Sequence, residues 1–435
     1  MRWPTKTPWQ AAFSPPWTRA SQSGRPTRTP STAASRSWSR AVVARAASGG
    51  SRVRAAPDPG DAVPRPRGNP HLIGQEAAEA EILGAWRTGR MSHAWLLTGP
   101  EGIGKATLAY RIARFVLSQD AAESGAPGLF GAPVAEPVAD SLSLPPEHPV
   151  FQRVHAGSHA DLRVIEPGFS DAKQAAREIE AGRTPRRRAE IVVDDVRGLG
   201  QFLSLTPAEG GWRVVVIDSA DIMNRNAANA VLKVVEEPPR RALLLLVSHN
   251  PARLPATIPS RCRRLPLRPL APDAMDGLLE RYRPDLEPEA RATLTGLSRG
   301  SIGRALALAR AGGLDLYRDL IDLLGQTPRM DVARCHALGD RAARDDEVWR
   351  FFRDMMPGLL ARIARLGAIA NGPADPAATD SAVLARLARS APLDRWVAVW
   401  EKTSHLLGRT EAVHLDRKQA VLATLLLLER AAGRT

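Results

Sequence analysis

Residues 99–107 read Gly99-Pro100-Glu101-Gly102-Ile103-Gly104-Lys105-Ala106-Thr107. Before them stands a short apolar run, Ala94-Trp95-Leu96-Leu97-Thr98. After them, residues 105–118 carry Leu108, Ile112, Phe115 and Val116 at helical spacing. The order is therefore strand, glycine turn, helix. Within the turn, Gly-x4-Gly-Lys is the spacing of a phosphate loop. Glycines let backbone N–H groups turn inward around phosphate oxygens, the helix N-terminus favours an anion, and the lysine neutralises the outermost phosphate. Gly99, Gly102, Gly104 and Lys105 are the expected cradle, and the tight turn alone is the weaker explanation.

The next position of such a loop needs a hydroxyl to hold magnesium, and here it is Ala106. Thr107 has a hydroxyl, but one residue along a helix is about 100° of rotation. The run Val214-Val215-Val216-Ile217-Asp218 reads as a buried strand ending in an acid of the kind that holds magnesium through water. A glutamate would follow to activate the attacking water; Ser219 follows instead. Both defects predict weak or absent magnesium–nucleotide chemistry. No metal ligand set is assigned, no cofactor is required, and residual ATP or ADP binding is left open.

Outward from the loop, 72–86 has helical spacing, 161–166 reads as a strand, 192–204 as a helix, and 222–237 as a helix stopped by Pro238-Pro239. Residues 242–247 form a further apolar strand. Alternating strands and helices predict a mostly parallel α/β sheet. After Pro272 only helical patterns remain, broken near 311–314, 325–328 and 371–376.

The helix-and-stop Asn229-Ala230-Val231-Leu232-Lys233-Val234-Val235-Glu236-Glu237-Pro238-Pro239, the strand after it, and Ser260-Arg261-Cys262 together resemble subunits of the AAA+ clamp loader of bacterial DNA polymerase III. The resemblance covers about residues 69–310. It implies a RecA-like α/β P-loop domain over 67–270, an all-α lid over 271–325 and an all-α collar, the oligomerisation domain, over 326–435. It implies that Arg261 enters the ATP site of a neighbouring subunit, where a guanidinium stabilises charge on the transferring phosphoryl group. Arg304, in Gly300-Ser301-Ile302-Gly303-Arg304, resembles the family's second sensor, and Asn250 lies near the first. Gly99, Gly102, Gly104, Lys105, Thr107, Asp218 and Arg304 then make a degenerate nucleotide site. A broken site of its own with an intact Ser-Arg-Cys implies a subunit that helps place a sliding clamp on primed DNA without hydrolysing ATP. Such a chain has no polymerase site of its own. The implied partners are the ATPase subunits and delta in a heteropentamer, the clamp, primed DNA and, indirectly, single-strand-binding protein. An active ATPase subunit and a DNA-repair or DNA-binding module with a relic P-loop remain the alternatives.

Composition agrees with this expectation. The net charge is +14, but residues 1–57 hold ten Lys and Arg and no acid, so the remainder is only mildly basic. Residues 1–66, rich in Arg, Ser and Pro, lack periodicity and read as disordered: an over-extended start in a GC-rich gene, ahead of a transit peptide or a basic tail. Two cysteines, Cys262 and Cys335, exclude a disulfide framework and fit a reducing bacterial cytoplasm. No apolar run approaches the roughly 20 residues that span a bilayer. Some relatives carry a four-cysteine zinc module where residues 119–160 stand; with no cysteine there, no zinc is expected. His148, His155 and His159 read as surface residues. Arg183 and Arg186-Arg187-Arg188 form a basic run that fits either DNA phosphates or a solvated face.

Overall fold

The computed structural model describes residues 64–123, 140–169, 174–175, 177–178, 187–209, 211–310, 312–368 and 380–433. The readings of residues 1–63, of Arg183 and Arg186, and of the break near 371–376 lie outside them. The described residues contain one sheet of five strands: β1 (Ala94–Thr98), β2 (Leu162–Ile165), β3 (Arg213–Ile217), β4 (Ala242–Ser248) and β5 (Arg263–Pro266). Their spatial order is β2-β3-β4-β1-β5, and all neighbouring pairs are parallel.

β3 and β4 are buried along their whole length, because a parallel sheet covered on both faces leaves no room for polar alternation. Successive side chains of β4 go to opposite layers. Leu243, Leu245 and Val247 join Trp95, Leu97 and Ile112, whereas Leu244 and Leu246 join Leu96, Val215 and Val231. The first layer is closed by α1 (Glu76–Arg87), α2 (Lys105–Glu123) and α3 (Pro149–Ala156). The second is closed by α4 (Val193–Val196), α5 (Leu199–Ser204) and α6 (Arg225–Glu236).

Three local readings are corrected. The helix expected over 192–204 is two short helices, broken where Gly198 takes φ 77°. β5 is a strand that the apolar pattern does not reveal: of Arg263-Arg264-Leu265-Pro266 only Leu265 is buried. It forms the sheet edge, where charge and proline discourage further pairing. Arg263 lies over the Trp95 ring at 4.6 Å and pairs with Glu81 at 2.9 Å. The histidines are not all surface residues. His148 caps α3 by accepting the Val150 N–H at 3.2 Å, and His159 is buried, accepting the Asp161 N–H at 3.2 Å.

Asp161 anchors the loop before β3. It accepts the N–H groups of Ala208 and Glu209 at 2.9 and 3.1 Å, and the buried Arg213 lies 3.3 Å away. Arg114 anchors the segment before α1. Its guanidinium donates to the carbonyls of Arg67 and Asn69, both at 2.9 Å, and stacks on Phe151 at 4.4 Å.

Among the described residues beyond β5, every element is helical. α7 (Pro272–Tyr282), α8 (Pro288–Ser298) and α9 (Ile302–Arg310) enclose a small core of Met275, Leu279, Leu294, Ala305 and Leu308. A larger core joins α10 (Gly313–Gly325), α11 (Val332–Arg344), α12 (Asp346–Ala368), α13 (Ser381–Ser390), α14 (Leu393–Ala412) and α15 (Arg417–Ala432). α10, which the sequence groups with 271–325, buries Leu316, Leu320 and Leu324 in this larger core. Leu297 and Phe351 touch both helical cores. The fold is a RecA-like α/β P-loop domain with a parallel five-stranded sheet, followed by all-α regions.

Candidate phosphate-loop site

Because the strands are parallel, β1, β3 and β4 all end on the same edge of the sheet, where α/β folds bind ligands. β1 delivers the glycine loop, β3 delivers Asp218, and β4 delivers His249. Gly99, Gly102 and Gly104 have φ of 139°, 75° and 100°, a region that L side chains rarely enter. At Gly99 a Cβ would also stand 2.6 Å from the Leu267 carbonyl oxygen.

Lys105 is 3% exposed and donates from Nζ to the carbonyls of Gly99, at 2.7 Å, and Pro100. Burial pulls its ammonium down to about 8, against the opposing fields of Glu101, Asp221 and Asp218. Asp218 is pushed up by burial and by the neighbouring Glu166; His249, the Ser219 N–H and Lys105 offset part of this. Asp221 is buried too, yet its carboxyl lies below the usual range. It accepts the His249 N–H at 2.9 Å, and the His249 ring lies 3.6 Å away.

Lys105, Asp218 and His249 face a cavity of about 410 Å³. Its lining includes Gly102, Gly104, Lys105, Thr107, Asp218 and His249 together with the apolar Leu72, Ile73, Leu278 and Leu306. Loop N–H groups, a helix N-terminus and a buried ammonium fit a phosphate group. Ala106 lines the same cavity and brings no hydroxyl, and the residue after Asp218 is Ser219 at φ 57°.

The start of α9 is fastened to the loop. The Gly303 N–H, in the first turn of α9, donates to the Gly102 carbonyl at 2.9 Å, and Ser301 Oγ donates to the Glu101 carbonyl at 2.7 Å. Ser301 Oγ also accepts the Arg304 N–H at 3.2 Å.

Of the residues expected from the sequence, Gly102, Gly104, Lys105, Thr107 and Asp218 line one cavity; Gly99 does not line it, but its carbonyl accepts from Lys105 Nζ. Arg304 does not join them. It lines a neighbouring cavity of about 880 Å³ between α9 and α12, where it donates to the Asp354 carbonyl at 2.7 Å. Asn250 accepts the Ala252 N–H at 3.2 Å in a turn, and the residue at the cavity is its neighbour His249, which the sequence reading missed. A titratable ring one step beyond a buried strand was the available signal.

Arg261 lies apart from both cavities. Its guanidinium pairs with Glu236 Oε1 at 3.0 Å and donates to the Thr257 carbonyl at 3.2 Å, with its side chain 42% exposed. The adjoining Cys262 is buried, which pushes its thiol up to about 11.

A family model described as DNA polymerase III, delta subunit, matches residues 144–271. The DNA polymerase III subunit delta' of Pseudomonas aeruginosa is 39% identical over 214 residues, covering 48% of this chain and 53% of that one. The subunit delta' of Bacillus subtilis is 30% identical over 222 residues, 51% of this chain and 55% of that one. Over these residues the chain is similar to DNA polymerase III delta' subunits. Subunit tau of Escherichia coli, 28% identical over 385 residues, covers 83% of this chain and 54% of its own. The chain thus spans about half the length of the curated relatives it matches. A solved DNA polymerase III gamma subunit-related protein of Thermotoga maritima overlays at a TM-score of 0.36 with 16% identity, over 81% of this chain and 99% of that one.

Among the described residues no group of three or more His, Cys, Asp or Glu is placed to hold a metal ion. No described helix is long and apolar enough to cross a membrane.

Proposed function

We propose that this chain is a delta'-type clamp-loader subunit that lends Arg261 to the ATP site of a neighbouring subunit while its own P-loop site does not hydrolyse ATP. The observation that carries this reading is the location of Arg261. It lies away from the chain's own phosphate cavity, exposed on a turn that follows β4. An arginine so placed serves a triphosphate bound elsewhere, and its five N–H donors suit a γ-phosphoryl group in transfer. The chain's own cavity supports the second half. It offers a cradle for phosphate, but neither a hydroxyl at Ala106 nor an acid at Ser219 to hold magnesium and activate water. Nucleotide binding there, if retained, is binding without turnover.

On this reading the chain works with ATPase subunits and delta in a heteropentamer that places a sliding clamp on primed DNA, in the bacterial cytoplasm, without zinc. The test is Arg261→Ala in the loader assembled with its partner subunits. DNA-stimulated ATP turnover should fall by at least tenfold, with assembly and the melting temperature of this chain unchanged. Full turnover would refute the donated arginine. Turnover by the isolated chain, abolished by Lys105→Ala, would refute the inactive site.

A further inference from the structure

We infer that Glu236 is a positioning residue for Arg261, so that the C-terminal end of α6 presets the guanidinium for the neighbouring subunit. The inference rests on the donated-arginine reading above and adds a second residue to it. Glu236 is the last residue of α6, and Pro238-Pro239 prevents the helix from running on. Its carboxylate is therefore set by the rigid body of the domain: Val231, Val234 and Val235 of the same helix are buried against the sheet.

Arg261 comes from the far side, on the turn after β4. Three groups hold it: Glu236 Oε1 at 3.0 Å from Nη2, the Thr257 carbonyl at 3.2 Å from Nη1, and Ser260 Oγ at 3.4 Å from Nη1. A guanidinium has five N–H donors in one plane. Nη1 meets two acceptors and Nη2 one, which leaves the second N–H of Nη2 and the N–H of Nε as the donors still open. A phosphoryl oxygen can be met by those donors while the carboxylate and carbonyl keep their hold.

A free arginine side chain has many rotamers to lose, and in-trans catalysis must absorb that loss each time the interface forms. An exposed ion pair is weak as a source of fold stability. It is sufficient to bias one rotamer of a side chain that must arrive in a set place. Both side chains remain about two-fifths exposed, so the pair is accessible and sensitive to salt.

The experiment uses the assembled loader with ATP and primed DNA, comparing Arg261→Ala, Glu236→Ala, Glu236→Gln, the double variant Glu236→Ala/Arg261→Ala, and Glu237→Gln as the adjacent-charge control. Glu236→Ala should lower kcat three- to tenfold with KM for ATP unchanged. Glu236→Gln, which keeps an acceptor, should fall in between, and Glu237→Gln should match the parent. The double variant should be no slower than Arg261→Ala alone, because a residue that acts only through Arg261 has nothing left to do once it is gone. If Arg261→Ala slows turnover and Glu236→Ala does not, or if the double variant is slower than Arg261→Ala, the positioning role is overturned and the donated arginine stands. If Arg261→Ala has no effect, both fall together. Thermal melting of each variant separates lost folding from lost positioning.

Discussion

The backbone of Gly303 meets the backbone of Gly102 across the junction between helix α9 and the phosphate loop. The N–H of one donates to the carbonyl of the other at 2.9 Å, and a Cβ on Gly303 would stand 2.9 Å from the Gly102 Cα. The neighbour is backbone, so it cannot swing aside as a flexible side chain would. The conformation of the loop and the seating of α9 are therefore one variable.

Gly303→Ala should destabilise the chain by about 1–3 kcal/mol, the usual cost of forcing an added carbon into a filled contact. Gly296 is the matched control. It sits inside α8, where an added Cβ meets nothing within 4 Å. Gly296→Ala should stabilise by about 0.5–1 kcal/mol through helix propensity and reduced freedom of the unfolded chain. Urea unfolding of the two variants beside the parent reads both, and equal shifts would remove the steric argument.

Lys105 supplies the pH dependence. Its ammonium is lowered by burial to about 8 from an ordinary value of 10.5. Between those values the unfolded chain holds a proton that the folded chain lacks, so stability rises with pH through that window, and the cost of the buried charge is fully present below 8. Lys105→Met removes that cost and should raise stability at pH 7 by about 1 kcal/mol or more. An anion in the cradle needs the charged form. Affinity for tripolyphosphate should therefore be flat below pH 8 and fall towards tenfold per unit above it, as read by calorimetric titration. A flat profile to pH 10 would show that Lys105 is not the anion's partner.

Ala106 governs the metal. Ala106→Thr returns a hydroxyl to the position after the loop lysine, and ATP affinity should become magnesium-dependent, several-fold tighter with magnesium than with EDTA. Turnover should stay absent, because Ser219 still provides no base. A fluorescent-nucleotide titration in both buffers checks the first statement and a phosphate-release assay the second.

Asp161→Ala tests the loop before β3. The variant leaves two backbone N–H groups without their acceptor and the buried Arg213 guanidinium without its carboxylate. Breaking one side of such a buried pair costs about 3 kcal/mol, which should show as a lower denaturation midpoint. The accompanying replacement of Arg213 by Met should recover part of it.

The core strands were legible because their physics is local. Val214 to Ile217 and Leu243 to Val247 are apolar at every position, as a sheet covered on both faces requires. The glycine loop was legible for the same reason, since its φ values exclude most other residues. β5 was hidden because its pairing is with β1, 165 or more residues upstream, and three of its four side chains face solvent. Arg304 was misplaced by resemblance: its sequence neighbours match a sensor, but its direction is decided by α12, whose Asp354 carbonyl captures it. His249 was passed over because only the end of β4, seen in three dimensions, shows which residue of the turn meets the cavity.

Arg114 sets a limit on how far the chain can be trimmed. The residue is 1% exposed, and its guanidinium donates to the carbonyls of Arg67 and Asn69. A truncation that begins after Asn69 would strand a buried cation with both acceptors deleted, and the recombinant product would be expected to aggregate. A start a few residues before Pro66 keeps the clasp closed, and is the practical choice for anyone shortening this polypeptide for crystallisation.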